Sequence, residues 1–272
     1  MDIHYPVQSH SWLGSCLEVL LPGSCHVCCR ALKTGILCYR CQPALPKIDW
    51  LKANSCPLCF SRLSLYRGES VCDPCRIHPL PMNSIRYLWD YSLLARDFIR
   101  AMKYKPSQQL TSIAGGLLSL SLPLLFQKTD WDIIVPMPSS ATGFSRRLFN
   151  PSVGIAQTIR KRHGIPIRNI LIRNLQRRPQ AFLSHAERLR GLTRLFSLSN
   201  PHVVHKKSVL LVEDVITTGA TISAASHTLR AHGAHKVDII ALARTRVWNR
   251  FRSEITSKLS RHTGNVTSAL GS

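Results

Sequence analysis

The sequence predicts an α/β protein, with a mostly parallel β-sheet flanked by helices and a small cysteine-rich module ahead of it. Three observations carry this expectation. All ten cysteines lie between Cys16 and Cys75, which separates a first module, residues 1–80, from the rest. After Pro79-Leu80-Pro81, which reads as a linker, short apolar runs alternate with segments of helical spacing, the pattern of strand–helix units on a shared sheet. Finally, Val209-Leu210-Leu211-Val212 runs straight into Glu213-Asp214 and then into a turn of Thr and Gly. Parallel sheets bind their ligands at the carboxyl ends of such strands.

The elements follow in order. Ile85 to Tyr91 alternates and reads as a strand. Ser92 to Lys105 has helical spacing through Leu93, Leu94, Phe98, Ile99 and Met102, and stops before Pro106. Ile113 to Leu122 reads as a buried helix ended by Pro123, and Asp132 to Val135 as a short buried strand ending at Pro136. Pro151 to His163 is a helix with Gly164 as its stop, and Ile170 to Arg173 a strand before a basic loop. Val209 to Val212 is a strand, Ala220 to His232 a helix closed by Gly233, and Val237 to Ala243 a last strand. Domain limits of 81–247 for this α/β part and 248–272 for a basic, flexible tail follow from the same pass.

Hydrophobic residues make up 44% of the 272, enough for a sizeable core. The longest apolar stretch, Ile113 to Phe126, is too short to span a bilayer and carries Pro123. Trp12 to Leu21 contains Glu18 and lacks a basic leader, so it makes a poor export signal. A cytoplasmic protein without a membrane span is the expectation.

The charge is uneven. Of a formal +22, residues 1–80 hold 8 basic and 5 acidic side chains, and residues 81–272 hold 28 and 9, a net +19. Residues 146–194 hold 12 basic residues and one acid, Glu187. A field of that sign attracts phosphate, on a small molecule or along a nucleic acid. Arg146, Arg147, Arg177 and Arg178 are the basic candidates for either, against the plainer reading of a solvated basic loop.

The cysteines form four C-x-x-C pairs. Cys25/Cys28 and Cys38/Cys41 are separated by nine residues, and Cys56/Cys59 and Cys72/Cys75 by twelve. Each pair presents two thiolates from one turn, and two turns complete a tetrahedral sulfur site for zinc. Disulfides are the competing reading, and a reducing cytoplasm argues against them. Two structural zincs are expected, one per consecutive set of four, although the spacing also permits a cross-braced pairing. Cys16 and Cys29 are left over, each by default a small buried residue.

The acids after Val212 can accept hydrogen bonds from vicinal sugar hydroxyls. Thr217-Thr218-Gly219-Ala220-Thr221 offers hydroxyls and successive N–H groups at the start of a helix, an anion site favoured by the helix dipole. The competing reading has the threonines merely capping that helix and the acids solvated. Adjacent acids directly after an apolar strand speak for the ligand site.

In its residue order the run Val209–Thr221 resembles the phosphoribosyl-pyrophosphate (PRPP) motif of the type I phosphoribosyltransferases. The resemblance extends to the competence protein F (ComF) family through Ile134-Val135-Pro136-Met137-Pro138, Arg147-Leu148-Phe149-Asn150, Arg173, Gln180, Leu183, Glu187-Arg188 and Phe196. Members combine a zinc ribbon module with a type I phosphoribosyltransferase-like sheet. The resemblance implies that Glu213 and Asp214 bind ribose, that Thr217 to Thr221 bind the 5-phosphate, and that magnesium bridges PRPP. It puts Pro138, Ser139, Ser140, Lys103 and Arg147 near the pyrophosphate. Family members tend toward Leu-His after this proline and toward Arg-Gly-Phe-Asn further on, where Ser139-Ser140 and Leu148 stand here. The resemblance also implies a role in DNA uptake during natural transformation, with single-stranded DNA and a competence helicase or translocase as partners. An active transferase of nucleotide metabolism, moving the pentosyl group of PRPP to an acceptor the sequence does not name, is the alternative.

Overall fold

The computed structural model describes residues 23–32, 35, 37–42, 55–61, 63, 70–77, 79–104, 108–126, 129–139, 150–174 and 195–245. Ser140, Arg146, Arg147, Arg177, Arg178, Cys16, the motif positions 180–188 and the tail 248–272 lie outside the described residues. The chain divides into two compact units, Met1–Leu45 and Pro46–Ser272. The first unit holds the two-residue strands β1 (Gly23–Ser24) and β2 (Ala31–Leu32), paired antiparallel. Its core is Cys25, Cys38 and Cys41, with Val27, Leu32 and Leu37 packed against them.

The second unit contains, in order, α1 (Asp73–Ile77), β3 (Ser84–Asp90), α2 (Leu93–Tyr104), α3 (Gln108–Leu125), β4 (Ile133–Pro136) and α4 (Pro151–His163). β5 (Leu171–Arg173), β6 (Phe196–Leu198), β7 (Ser208–Ile216), α5 (Ala220–Ala231) and β8 (Lys236–Arg244) complete it. β3, β8, β7 and β4 form one sheet in that order, with every neighbouring pair parallel. β5 and β6 make a separate antiparallel pair. β7 and β8 are the inner strands, and Val209–Val212 and Ile239–Ala243 are wholly shielded from solvent. Strands covered on both faces read as unbroken apolar runs, as these do.

Among the described residues Trp89 Nε1, Ser119 Oγ and Ser226 Oγ are buried without a hydrogen-bond partner, whereas the charged group at the centre of the unit is well paired. Asp238, buried in β8, accepts hydrogen bonds from Ser84 Oγ (2.6 Å) and Trp131 Nε1 (2.8 Å) and meets Lys236 Nζ at 3.0 Å. α3 runs through Pro123 to Leu125, two residues beyond the stop read from sequence. Proline has no N–H to give the carbonyl of Ser119. His163 Nε2, at 2.9 Å, donates to that carbonyl instead, and the helix continues. α4 matches its expected limits, capped by Asn150, whose side chain accepts from Ser152 N, and closed by left-handed Gly164.

α3 and α4 cross closely. A Cβ on Gly115 would stand 2.6 Å from Thr158 Cβ and 3.2 Å from the Ile155 carbonyl, and one on Gly154 would stand 2.4 Å from Thr111 Cγ2. The two glycines thus each receive a threonine from the opposite helix. That contact fixes the first turn of α4, which carries Ser152. Among the described residues no helix is long and apolar enough to cross a membrane.

Candidate functional site

β7 extends past its neighbour. β4 ends at Pro136, paired with Val212, and Met137 N still donates to the Val212 carbonyl (2.9 Å). Beyond that point Glu213, Asp214, Val215 and Ile216 continue the strand, with Glu213, Val215 and Ile216 in register with β8. The acid pair therefore lies inside a nine-residue strand, not after a four-residue one, at the place where the sheet loses its β4 neighbour. The chain leaving β4 is tied down by Asn150 Nδ2, which donates to the Met137 carbonyl at 2.8 Å. Pro138 and Ser139 follow directly.

Successive strand residues leave on opposite sides, and the two acids meet different helices. Glu213 Oε1 accepts from Ser152 Oγ (3.5 Å), at the start of α4, and from the Asp214 N–H (3.0 Å). Asp214, buried, pairs with Lys103 Nζ at 2.7 Å, from the last turn of α2. Burial pushes the Glu213 carboxyl up to about 8, and the neighbouring Asp214 charge adds to the rise, while the Asp214 N–H and Lys103 oppose it. The Lys103–Asp214 pair thus stands beside a carboxyl, Glu213, whose proton affinity is raised.

The turn after β7 is built by Gly219, left-handed at φ 79°, which opens α5. Ser223 N donates to the Gly219 carbonyl, and Ala220 N to Thr218 Oγ1 at 3.4 Å. The N–H groups of a first helical turn have no acceptor within the helix and carry the positive end of its dipole. Thr217, Thr218, Gly219, Ala220 and Thr221 bring those donors to the end of the strand that carries the acids. Vicinal hydroxyls on the carboxylates and a phosphate at the helix start are the chemistry this arrangement accommodates. Lys103 lies on the acid pair. The structure adds Ser152, which the motif reading missed, and shows Asn150, one of the residues quoted for the family resemblance, as the cap of α4. The Asn-Pro step before an apolar helix is a capping signal that could have located both.

The eight paired cysteines form two clusters, Cys25, Cys28, Cys38 and Cys41, and Cys56, Cys59, Cys72 and Cys75, each with its ligand atoms within 4.8 Å of one another. Cys28 and Cys38 Sγ are 3.6 Å apart, and Cys59 and Cys72 Sγ 3.5 Å. Disulfide sulfurs stand about 2.0 Å apart, whereas a tetrahedron with metal–sulfur bonds of about 2.3 Å has edges of about 3.8 Å. The spacing fits one tetrahedral metal per cluster in the local, not cross-braced, pairing. Both first turns close in the same way: Cys29 N donates to the Cys25 carbonyl, and Phe60 N to the Cys56 carbonyl, at 2.8 Å each. Cys29 and Phe60 then turn left-handed, at φ 61° and 59°. Cys29 is exposed, contrary to the buried position expected for it, because it holds the outward turn position after the pair.

Residues 152–258 match the phosphoribosyl transferase domain family. The chain is 28% identical to the DNA utilization protein YhgH of Escherichia coli K12 over 231 residues, which cover 83% of this chain and 98% of that protein. It is 24% identical to the competence protein ComFC of Streptococcus pneumoniae, over 81% of this chain and 99% of that protein. With competence protein F of Haemophilus influenzae it shares 32% identity over 213 residues, 76% of this chain and 90% of that protein. The parallel sheet with flanking helices is accordingly that of a type I phosphoribosyltransferase-like domain. Identity of this degree, over three quarters of this chain and nine tenths of that protein, places the chain in the ComF family.

Proposed function

We propose that the chain binds PRPP, or a closely related sugar phosphate, together with magnesium, and that it serves DNA uptake through single-stranded DNA. The observation that carries the ligand reading is the overhang of β7. Glu213 and Asp214 stand beyond the end of β4, with the Thr217–Thr221 turn and the start of α5 directly after them. The carboxylates take the ribose hydroxyls and the turn takes the 5-phosphate. Magnesium would supply positive charge to the departing pyrophosphate, on the side of the Pro138–Ser139 segment and Lys103. Zinc is the metal of the two cysteine clusters, in closed four-sulfur sites whose role is structural.

The DNA reading is supported by the net +19 of residues 81–272 and by relatives named for DNA utilization and competence. A competence helicase or translocase is the partner such a role calls for, and the cytoplasm its setting.

Calorimetry with PRPP and magnesium tests the site. Wild type gives a saturable heat, and Asp214→Ala loses it or weakens it by at least tenfold; equal heats from the two proteins would sink the assignment. Pyrophosphate release in the same sample decides whether the site also turns over. Metal analysis of the purified chain gives two zincs per molecule, and none would overturn the metal reading.

A further inference from the structure

The second cysteine cluster is built into the sheet. Four carbonyl oxygens of its first turn, those of Pro57, Leu58, Cys59 and Phe60, receive donors from the strands behind it. Arg86 Nη1 donates to Pro57 (2.9 Å), Ile85 N to Leu58 (2.7 Å), Arg244 Nη1 to Cys59 (2.5 Å) and the Tyr87 hydroxyl to Phe60 (3.1 Å). Arg86 and Tyr87 belong to β3, and Arg244 is the last residue of β8. Arg244 is buried, with Nη2 at 2.8 Å from the Tyr87 hydroxyl and its guanidinium over the Tyr87 ring at 4.2 Å.

A buried guanidinium is costly unless negative charge or acceptors compensate it. Four thiolates around one divalent metal carry a net charge near −2, a counter-charge immediately behind the Cys59 carbonyl. A metal held there and Arg244 would stabilise one another.

Arg244 is also one residue from the other site. It is in register with Ile216, and the next residue, Thr245, donates twice to the end of β7: its N–H to the Ile216 carbonyl (2.9 Å) and its hydroxyl to the Thr217 carbonyl (3.2 Å). Thr217 opens the turn that leads into α5. A continuous path thus runs from the cysteine turn through the Arg244 side chain and the Thr245 hydroxyl to the proposed phosphate turn, without passing through either acid.

We propose that metal held by Cys56, Cys59, Cys72 and Cys75 orders the Thr217–Thr221 turn, with Arg244 and Thr245 as the positioning residues that couple the two sites. The functional meaning of the coupling rests on the phosphate reading of that turn. Linkage is reciprocal, so an anion held at the turn also raises the affinity of the second cluster for its metal. The first cluster has no part in the path.

Amide hydrogen exchange of the full-length protein, without any sugar phosphate, tests the coupling directly. The gauge is the exchange rate of the 217–221 amides relative to those of α3. Cys72→Ser, verified by metal analysis to have lost one zinc, should exchange at least about fivefold faster in the turn, the lower end of ordinary coupling, with α3 unchanged. Thr245→Val, which keeps both zincs, should loosen the turn comparably. Arg244→Met combined with Cys72→Ser should exchange no faster than the faster single variant, because both act on one path.

Turn exchange unaltered by loss of zinc, or a double variant that adds the two effects, overturns the proposal. If Cys72→Ser speeds α3 as well, the chain has unfolded and Thr245→Val decides: an unchanged turn in that variant is fatal. Failure of wild type to bind PRPP would remove the sugar-phosphate reading while leaving the exchange result to stand or fall separately.

Discussion

Glu213 is a half-buried carboxyl beside a second acid, and the molecule's pH response follows from it. Its proton affinity rises from an ordinary 4.5 to about 8. Between those values the folded chain keeps a proton that the unfolded chain gives up, so stability falls as pH rises through this window and levels off above it. The groups around it are Asp214, Lys103 and Ser152. Glu213→Gln removes the ionisation while keeping the shape. Thermal unfolding should show little difference between the two proteins at pH 4.5, and a variant more stable by a few kcal/mol, on the order of 5 °C or more, at pH 8. A difference independent of pH would mean that Glu213 is solvated. A carboxyl that opposes its own fold in this way fits the proposed ligand role. The identity of this acid was legible in the sequence, because two charges directly after an apolar run are conspicuous. Its partner Ser152 was not, since it reaches Glu213 from 61 residues away and only the fold brings it in; Lys103 was named for the pyrophosphate side, and its pairing with Asp214 was not legible.

Among the elements, the α3–α4 crossing is the joint on which Ser152 and Asn150 depend. Gly115→Ala drives a methyl toward the Ile155 carbonyl and the Thr158 side chain, and should cost about 1–3 kcal/mol by overpacking. Gly116, its neighbour on the same helix, has nothing within 4 Å of a built Cβ. Gly116→Ala should therefore stabilise by about 0.5–1 kcal/mol through helix propensity alone. Denaturant unfolding of the pair checks both signs, and equal effects would discount the crossing. The element types were readable because inner strands and helices repeat their apolar residues at different periods. Their ends were less so. β7 outlasts its apolar run because β8 continues to pair with it through Ile216, and α3 outlasts Pro123 because His163 satisfies the carbonyl left open. β6 escaped the sequence reading altogether; three residues paired only with β5 carry too little periodicity to stand out.

For the whole molecule, charge makes the prediction. If the basic side chains of residues 81–272 hold single-stranded DNA, affinity falls steeply as salt rises, with a slope near 0.7 per phosphate neutralised. Replacing Arg177 and Arg178 by Glu should weaken binding and flatten that slope; an affinity indifferent to salt, measured by fluorescence anisotropy, would refute the electrostatic account. The order of the sheet has a separate consequence, in time. β3 pairs with β8, made about 150 residues later, and Arg244 reaches Cys59 across 185 residues of sequence. At ribosomal speeds of about 5–20 residues per second, Cys56 to Cys75 emerge on the order of ten seconds before the strand that shelters their turn. During that interval four bare thiols are open to oxidation or to the wrong metal. Synthesis of this chain is therefore most vulnerable under oxidative stress, well before any folded protein exists to be damaged.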